Sequence, residues 1–467
     1  MQKCTLAVDI GASSGRVIAG FLKDGKLILE EVHRFKNEMK QGESHLYWDV
    51  DLLFKEIVSG IKKCNTLKFL PQSIGIDTWA VDFVLLDKNK QRITDAVAYR
   101  DNRTDGMMEE VLRHIKKEEL YERTGIQYQK FNTIYQLYSM KLHEKKVLDE
   151  AKYFLMIPDY LHYRLSGILV NEYTNATSTQ LVKADERQWD EELITRLDLN
   201  PSMFLPITEP CVTIGRLTES LKKELGFDME VIAPGTHDTA SAVVSVPAED
   251  SIYISSGTWS LMGVENDQAI NSEEALLYNF TNEGGVGGNF RFLKNIMGLW
   301  MIQEVKRVLN DSHSHEELVE LAKGATIPSI VNVNDDRFLS PKNMIEEIQV
   351  YCKETNQVIP ETPGELAKVI FDSLVKSYHE TINQIERLSN KKYESINIIG
   401  GGSQNAYINQ KLADVSQKDV YTGPIEATAI GNLVAQFMAK GSISTKQEAK
   451  SMIQQSFEIK HYKSKAL

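Results

Sequence analysis

The sequence has 467 residues, of which 42% are hydrophobic and 25% are charged, and its formal net charge is −12. A chain of this length exceeds what one hydrophobic core usually supports, so we expect two domains. The acidic excess is spread along the chain. This argues against a nucleic-acid groove or an anionic membrane surface as the main partner.

The cysteines and the N-terminal residues carry no metal, redox or targeting signal. Cys4, Cys64, Cys211 and Cys352 lie far apart and form no CxxC pair, so neither a structural zinc site nor a redox motif is encoded. The first residues lack a signal-peptide apolar region, and no apolar run approaches the roughly 20 residues of a membrane span. We expect a cytoplasmic protein with reduced thiols.

The first half begins with three apolar runs, "CTLAVDI", "RVIAGFL" and "KLILEEVHRF", which predict a meander of strands. In "DVDLLFKEIVSGIKKC", the apolar residues recur at helical spacing, and "SIGIDTW" then predicts another buried strand. Segments around 105–145 and 190–225 have helical character. The first half therefore predicts an α/β unit.

The second half repeats this order from residue 249, where "EDSIYISSGTWSLMGVEN" predicts a strand, a polar loop and a further strand. A long amphipathic helix is predicted from Leu366 to Ile385, before the strand of "SINIIGGGSQN". The stretch 266–292 is interpreted as irregular, with its "NEGGVGGN" as a mobile loop. Two diverged copies of one α/β unit facing each other across a cleft would explain the repeat, with domains 1–245 and 246–467.

Three polar loops are rich in residue types that bind phosphate groups. In "DIGASSGR", small residues let backbone N–H groups approach an anion, Ser13 and Ser14 add hydroxyl donors, and Arg16 adds a positive charge. A tight hairpin between strands is the alternative. The loop "SSGTWS" occupies the matching place in the second half, and "IIGGGSQN" ends a strand in glycines, where the backbone is expected to lie against a flat or charged group. Neither GxxxxGK[ST] nor GxGxxG after a strand is present, which disfavours a Walker-type NTPase and a Rossmann dehydrogenase.

The segment "PGTHDTASAVVSV" supplies a candidate base at a predicted helix start. Thr236 can cap the helix, and Asp238 lies in its first turn, where capping and dipole complementarity are the structural alternative. An exposed carboxylate there is suited to accept a hydroxyl proton during phosphoryl transfer. We interpret His237 as a substrate hydrogen-bonding group rather than the base.

Further side chains have the character of sugar contacts. Trp79 and Asp82 could hold a sugar by stacking and hydrogen bonding, or be a core tryptophan and a solvated turn aspartate. Arg100 and Asn295 could be polar ligand contacts, or a surface side chain and a satisfied buried amide. These alternatives stay open at the level of sequence.

Many short motifs match one family in its order, among them "AVDIGASSGRV", "SIGIDTWAVDFVLLD", "AYRDNRT", "MIPDYLHYRLSG", "EYTNATSTQL", "HDTASAV", "SSGTWSLMG", "LKNIMGLW", "NDDRF" and "GPIEATAIGN". The chain resembles the FGGY family of carbohydrate kinases, within the actin-like ATPase superfamily, over nearly its whole length. The resemblance implies an α/β fold with two actin-like (ribonuclease H-like) domains facing each other across a catalytic cleft.

The resemblance also implies ATP-dependent transfer of phosphate to the 1-hydroxyl of L-rhamnulose. Asp238 is then the catalytic base, and His237, Thr239 and Asn295 line the sugar site with Ala80. Mg²⁺ would bridge the ATP phosphates near Asp9. The residues implied for the nucleotide are Ser13, Ser14, Gly15, Arg16, Thr258, Gln303, Gly400, Gly401 and Gly402.

One position departs from the pattern. Relatives that act on L-rhamnulose usually carry glycine in "TWGVDF", whereas this chain has Ala80. Because the methyl group of Ala80 would lie beside the sugar, L-fuculose and L-xylulose stay open as alternative substrates. The type of reaction is not affected. The alternative from another functional class is a non-catalytic actin-like module that binds a nucleotide. The aspartate of "HDT" favours the kinase, because such a module would need no carboxylate base.

Overall fold

The computed structural model describes residues 1–465, which fold into two units. The first unit contains Met1–Ser245, Glu265–Phe292 and Ala427–Ser456. The second contains Val246–Val264, Leu293–Glu426 and the residues from Phe457 onward. The chain therefore leaves the first unit near the predicted boundary and returns to it twice. No helix in the described part of the chain is long and apolar enough to cross a membrane.

The strands in chain order are β1 (Gln2–Ile10), β2 (Ser14–Lys23), β3 (Lys26–Lys36), β4 (Met39–Gln41), β5 (Leu46–Trp48), β6 (Phe69–Thr78), β7 (Phe83–Leu86), β8 (Ala96–Val97), β9 (Tyr153–Met156), β10 (Asn171–Glu172), β11 (Ile207–Thr208), β12 (Val212–Arg216), β13 (Glu230–Ala233), β14 (Ile252–Ser256), β15 (Trp259–Asn266), β16 (Thr281–Gly284), β17 (Phe290–Met297), β18 (Ser395–Ile399), β19 (Asp419–Thr422) and β20 (Lys460–Tyr462).

The α-helices are α1 (Val50–Thr66), α2 (Met107–Leu112), α3 (Lys117–Thr124), α4 (Thr133–His143), α5 (Lys145–Glu150), α6 (Ile157–Ser166), α7 (Tyr173–Ala176), α8 (Glu191–Arg196), α9 (Glu219–Leu225), α10 (Asp238–Val244), α11 (Glu273–Leu277), α12 (Trp300–Val308), α13 (His315–Gly324), α14 (Met344–Glu354), α15 (Pro363–Ser389), α16 (Ala406–Ser416), α17 (Ala427–Ala439) and α18 (Lys446–Ser456).

The first unit is built on a six-stranded sheet in the order β12-β13-β6-β1-β2-β3. β1 and β2 pair antiparallel, as do β2 and β3, which confirms the predicted meander. β1 also pairs with β6 in parallel, and β6 pairs in parallel with β13. Because three adjacent strands run parallel, their carboxyl ends lie at one edge of the sheet, where ligand sites of α/β proteins commonly occur.

The predicted helix after the meander is confirmed as α1. It begins after Asp49, whose side chain accepts the Leu52 N–H and so satisfies a donor of the first turn. Its buried stripe, including Leu53, Ile57 and Ile61, packs against the sheet. The apolar spacing in the sequence therefore predicted both the helix and its buried face.

The second unit repeats this arrangement of strands. β14 pairs antiparallel with β15 and parallel with β18, and β18 pairs parallel with β19. The polar loop of "SSGTWS" joins β14 to β15, just as "GASS" joins β1 to β2. The predicted amphipathic helix is confirmed as α15, which begins with a capping box between Thr362 and Glu365. The predicted internal repeat of strand, loop, strand and later parallel strand is thus present.

Two predictions of local structure are wrong. The segment 190–225 is not helical throughout, because Val212–Arg216 forms β12 and pairs with β13. The start of "NEGGVGGN" is not a mobile loop, because Asn282, Glu283 and Gly284 lie in β16 and are buried. A Cβ atom on Gly284 would lie 2.6 Å from the Tyr173 ring. This glycine permits close packing, and local composition does not distinguish that role from flexibility.

Helices α10 and α17 pack closely because Gly431 has no side chain. A Cβ atom on this residue would overlap the backbone oxygen of Ser241 in α10. Backbone atoms cannot turn aside as a flexible side chain can, so a methyl group there would force the two helices apart. The contact holds α10, whose first residue is Asp238.

We expect Gly431→Ala to lower the free energy of unfolding by about 3 kcal/mol, the upper end of the usual cost of overpacking. Gly324→Ala is the matched control, because a Cβ atom there would meet no atom of residues 1–465 within 4 Å. Urea denaturation followed by circular dichroism measures both variants. Equal responses of the two proteins would contradict the close contact between α10 and α17.

Candidate active site

Polar side chains of the first unit meet at the carboxyl ends of β1 and β6. Asp9 and Asp77 are register partners on these parallel strands. The Thr78 N–H donates to the Thr236 oxygen at 2.9 Å, and Thr78 forms a bridge with His237. These backbone contacts bring the start of α10 to the same edge, so that Asp9, Asp77 and Asp238 come close enough to interact electrostatically.

Asp238 is the first residue of α10, and 31% of its side chain is exposed. Its Oδ1 accepts hydrogen bonds from the backbone N–H and the hydroxyl of Thr239, at 2.6 and 3.2 Å. Burial of the carboxyl group raises its pKa, Asp9 raises it further, and His237 and the Thr239 contacts oppose this. A carboxylate with a raised pKa that still reaches solvent has the properties of a general base.

Asp77 lies deeper and is fully buried. Its Oδ2 accepts a 2.6 Å hydrogen bond from the Asn432 amide of α17, while its Oδ1 has no hydrogen-bond partner in the described part of the chain. Burial and the charges of Asp9 and Asp238 raise its pKa well above the ordinary range, although Asn432 opposes them. The Gln436 amide in turn donates to the Asn432 oxygen at 2.8 Å, so α17 fixes this carboxyl group through two amides.

The first polar loop is a tight connection between β1 and β2. The Gly11 N–H donates to the Ser14 oxygen at 2.8 Å, and Ser14, Gly15 and Arg16 already belong to β2. Arg16 donates to Asp9 at 2.8 Å, so this carboxylate has a cationic partner. A Cβ atom on Gly15 would overlap the Phe35 ring, which gives this glycine a packing role beside any contact with phosphate.

Glu172 organises the backbone before His237 and was not identified from the sequence. This buried carboxylate accepts hydrogen bonds from the N–H and hydroxyl groups of both Thr174 and Thr236, and from the Asn175 N–H. The Thr174 hydroxyl then accepts the His237 N–H at 3.2 Å. Burial raises the pKa of Glu172, against these hydrogen bonds. The threonine-rich "EYTNATSTQL" contains Glu172 and several hydroxyl donors, but only the fold shows that Glu172 also contacts Thr236.

His237 contacts two further charged residues that the sequence analysis did not identify. Its Nδ1 lies 3.1 Å from Nη2 of Arg291 and 3.3 Å from Oε2 of Glu283. Both partners lie in the stretch 266–292, which the sequence analysis interpreted as irregular. The imidazole is therefore held from one side by an ion pair and faces Asp238 with its other nitrogen.

Asp82 lies in a buried hydrogen-bond network. Its Oδ2 accepts the indole N–H groups of Trp48 and Trp79 at 2.6 and 2.9 Å, and the Tyr99 N–H at 3.0 Å. Its Oδ1 accepts from the Gln136 amide at 3.1 Å. Trp79 is a buried core residue, which agrees with the alternative to a sugar contact given by the sequence. Asp82 is also buried, whereas that alternative predicted a solvated aspartate. The network indicates a structural role for Asp82.

Ala80 is partly exposed and lies outside the left-handed region of backbone conformation. The next residue, Val81, has a φ of +67°, which is unusual for a β-branched side chain. This turn is held by the Ser178 hydroxyl, which accepts the Val81 N–H, and by Thr133, which donates to the Val81 oxygen. Replacing Ala80 by glycine would therefore relieve no backbone strain.

The second unit contains the other predicted nucleotide residues. Thr258 and Gln303 are exposed and share a 3.3 Å hydrogen bond. Gly400 has a φ of +80°, and a Cβ atom on Gly402 would overlap the Ser256 hydroxyl, whereas Gly401 faces open space. The glycine turn thus packs on the last residue of β14, next to the loop between β14 and β15. Asn295 lies in β17 and is partly exposed.

Within residues 1–465, no group of three His, Cys, Asp or Glu side chains is arranged to hold a metal ion. Mg²⁺, however, is commonly bound through one or two carboxylates together with substrate phosphates. Asp9 is partly exposed, and the neighbouring Asp77 has a carboxyl oxygen without a hydrogen-bond partner among residues 1–465. These oxygen groups fit the preference of Mg²⁺ when phosphate supplies the remaining ligands.

Comparison with known families identifies the class of protein. Residues 4–245 match the N-terminal domain of the FGGY family of carbohydrate kinases, and residues 252–440 match its C-terminal domain. The chain therefore belongs to the FGGY family of carbohydrate kinases. The predicted family and its α/β fold of the actin-like ATPase type are confirmed.

Curated relatives are similar over nearly the full chain. A protein named rhamnulokinase from Oceanobacillus iheyensis is 57% identical over 463 residues, which cover 99% of this chain and 98% of the relative. One of the same name from Bacillus subtilis is 44% identical over 458 residues, covering 97% and 94%.

Solved structures show the same fold at low sequence identity. A ligand-bound xylulose kinase from Lactobacillus acidophilus has a TM-score of 0.81 at 16% identity, with 99% of this chain and 94% of that chain covered. A glycerol kinase from Plasmodium falciparum with ADP has a TM-score of 0.80 at 14% identity, covering 99% and 95%.

The buried Asp82 network generates a prediction on pH and stability. Burial raises the pKa of this carboxyl group from 3.8 to about 6, although its four hydrogen bonds oppose the shift. The folded protein therefore holds the proton more tightly than the unfolded chain does. The resulting stabilisation is present below the unfolded pKa and is lost as the pH rises through the folded pKa.

Asp82→Asn supplies the comparison because it has nearly the same shape and does not titrate. Between about pH 4 and about pH 7, we expect the free energy of unfolding of the wild type to fall by about 2 kcal/mol relative to this variant. Urea denaturation across this range measures the difference. A difference that stays constant, or that grows with pH, would contradict a raised pKa at Asp82.

Proposed function

We propose that this chain transfers the γ-phosphate of ATP to the 1-hydroxyl of L-rhamnulose, giving L-rhamnulose 1-phosphate and ADP, as a step in L-rhamnose catabolism. The observation that carries the proposal is the identity of 57% over nearly the whole chain with a relative named rhamnulokinase. Membership of a carbohydrate kinase family supports ATP as the phosphate donor. Phosphoryl transfer to a hydroxyl requires a group that accepts the hydroxyl proton, and the partly exposed carboxyl group of Asp238 is suited to that role.

Asp238 is proposed as the general base. Its carboxylate accepts the proton of the 1-hydroxyl while that oxygen forms a bond to the γ-phosphorus, and the bond from this phosphorus to the β–γ bridging oxygen breaks. The raised pKa of Asp238 strengthens its affinity for that proton. His237, Thr239 and Asn295 are proposed to hydrogen-bond the sugar, with Ala80 beside it.

The nucleotide is proposed to bind at the polar loops of the two units. Ser13, Thr258, Gln303 and Gly401 are exposed, Ser14, Arg16 and Gly400 are partly exposed, and Gly15 and Gly402 are buried. The proposed contacts are Ser13, Ser14, Gly15, Arg16, Thr258, Gln303, Gly400, Gly401 and Gly402. Mg²⁺, with Asp9 nearby, would neutralise charge on the phosphates when bound. A cytoplasmic location is retained as a prediction from the sequence.

A different ketose is the second candidate, because Ala80 adds a methyl group at a position where glycine is expected beside the sugar. Side chains that hydrogen-bond a sugar reject a misplaced hydroxyl more strongly than an apolar wall rejects an extra methyl group. L-fuculose and L-xylulose are therefore expected to be weaker substrates, unless the methyl of Ala80 reshapes the pocket.

Asp238→Asn tests the base. We expect kcat to fall by at least about 100-fold, because proton acceptance is lost while the shape of the site persists. ATP affinity and the thermal midpoint should change little. Asp149→Asn, at an exposed aspartate on α5, is the control and should keep normal turnover. An Asp238→Asn enzyme with a third of normal turnover would rule out this role.

A panel of ketoses tests the substrate, with wild type beside Ala80→Gly. We expect L-rhamnulose to have the highest kcat/KM, and Ala80→Gly to improve it further if the methyl group narrows the pocket. Because Ala80 has no left-handed backbone conformation, the glycine variant should gain no stability from strain relief. A tenfold higher kcat/KM for another ketose in the wild type would refute L-rhamnulose while leaving the kinase reaction intact.

A further inference from the structure

We propose that Arg291 is a positioning residue that sets the tautomer of His237. Its guanidinium donates a hydrogen bond to Nδ1 of the imidazole, so the neutral ring carries its proton on Nε2, the nitrogen that faces Asp238. The effect on the imidazole is a property of the first unit alone. Only its consequence for catalysis rests on the proposed function.

The three residues form a buried cluster. Arg291 is 0% exposed, and its Nη2 lies 3.0 Å from Oε2 of Glu283 and 3.1 Å from Nδ1 of His237. Its Nε donates to the Gly284 oxygen at 3.0 Å, which fixes the plane of the guanidinium. The cluster joins β16 and β17 to the residue that precedes α10.

The chemistry of the guanidinium decides which nitrogen bears the proton. An arginine side chain has only donors and stays protonated in proteins. A hydrogen bond between Nη2 and Nδ1 therefore requires a lone pair on Nδ1, and the single proton of a neutral imidazole must then lie on Nε2. The proton position follows from the nature of the partner rather than from observation of the hydrogen.

Glu283 is the competitor, because its carboxylate could instead accept a proton from Nδ1. Its Oε2 is 3.3 Å from Nδ1, farther than the arginine nitrogen, and this contact lacks the geometry of a hydrogen bond. Burial raises the pKa of Glu283, and the charge of Arg291 opposes this by lowering it. Glu283 is thus the counter-ion that lets a buried guanidinium persist beside the imidazole.

The other side of the ring is turned toward the proposed base. Nε2 of His237 lies 3.5 Å from Oδ1 of Asp238, which is longer than a normal hydrogen bond. The Nε2–H group is therefore available to a ligand oxygen next to that carboxylate. A neutral imidazole also places no full positive charge beside Asp238, and so preserves the basicity of the carboxylate.

Nuclear magnetic resonance of protein labelled with ¹⁵N-histidine tests the tautomer without substrate. Two-bond ¹H–¹⁵N correlations distinguish the tautomers, and comparison with His237→Gln assigns the signal. At mildly alkaline pH, we expect wild-type His237 to be protonated on Nε2 only. Protonation on Nδ1, or on both nitrogens, would overturn the proposal even if the protein phosphorylates L-rhamnulose.

Two variants separate the donor from its counter-ion. Arg291→Met should lose the fixed tautomer, whereas Glu283→Gln should retain it because the arginine donor remains. If Arg291→Met alone fails to fold, Arg291→Met/Glu283→Gln removes both buried charges and serves in its place. A spectrum of the arginine variant identical to that of the wild type would overturn the proposal.

Kinetics give the second readout. In the arginine variant, kcat/KM for the sugar should fall by about tenfold, the value of one hydrogen bond, while KM for ATP changes by less than about twofold. A general structural defect would alter both substrates together. A normal tautomer with an inactive enzyme would contradict the proposed function and leave the inference on Arg291 intact.

Discussion

The crowding of negative charge at the carboxyl ends of β1 and β6 is the constraint on which the rest of the site depends. Asp9, Asp77 and Asp238 interact there, with Asp77 fully buried and the side chains of Asp9 and Asp238 partly exposed. Like charges at short distance cannot all remain ionised without compensation. Arg16 pairs with Asp9, Asn432 hydrogen-bonds Asp77, and the pKa values of Asp77 and Asp238 rise.

The surrounding fold holds this arrangement through contacts distant in sequence. Gly431 lets α17 approach α10, and α17 also supplies the amide that contacts Asp77. Glu172 gathers the hydroxyl and N–H groups on either side of Thr236. These supports explain why a short helix of seven residues can present Asp238 in a defined position.

Much of the fold could be predicted from the sequence, because its signals are local. Hydrophobic periodicity identified the meander, α1 and α15, and the small polar loops marked the repeat. Asp238 was found from a helix start that carries a carboxylate. In contrast, Glu283 was assigned to a mobile loop because the glycines beside it resemble a flexible segment. The sequence does not show that the Tyr173 ring packs against Gly284.

The supporting residues could not be predicted, because their partners lie far along the chain. Arg291 is 54 positions from His237, and Glu172 is 64 positions from Thr236. No periodicity or spacing rule connects such pairs. Asp82 is similar, since its burial depends on two tryptophans and a glutamine from separate segments.

The most direct test of this account is a carboxyl titration of Asp238. Protein labelled with ¹³C at aspartate carboxyl groups is followed by nuclear magnetic resonance across pH, and comparison with Asp238→Asn assigns the signal. The account predicts a pKa above the ordinary value of about 3.9 for aspartate. A pKa at or below that value would contradict the claim that buried, crowded carboxylates make Asp238 a base.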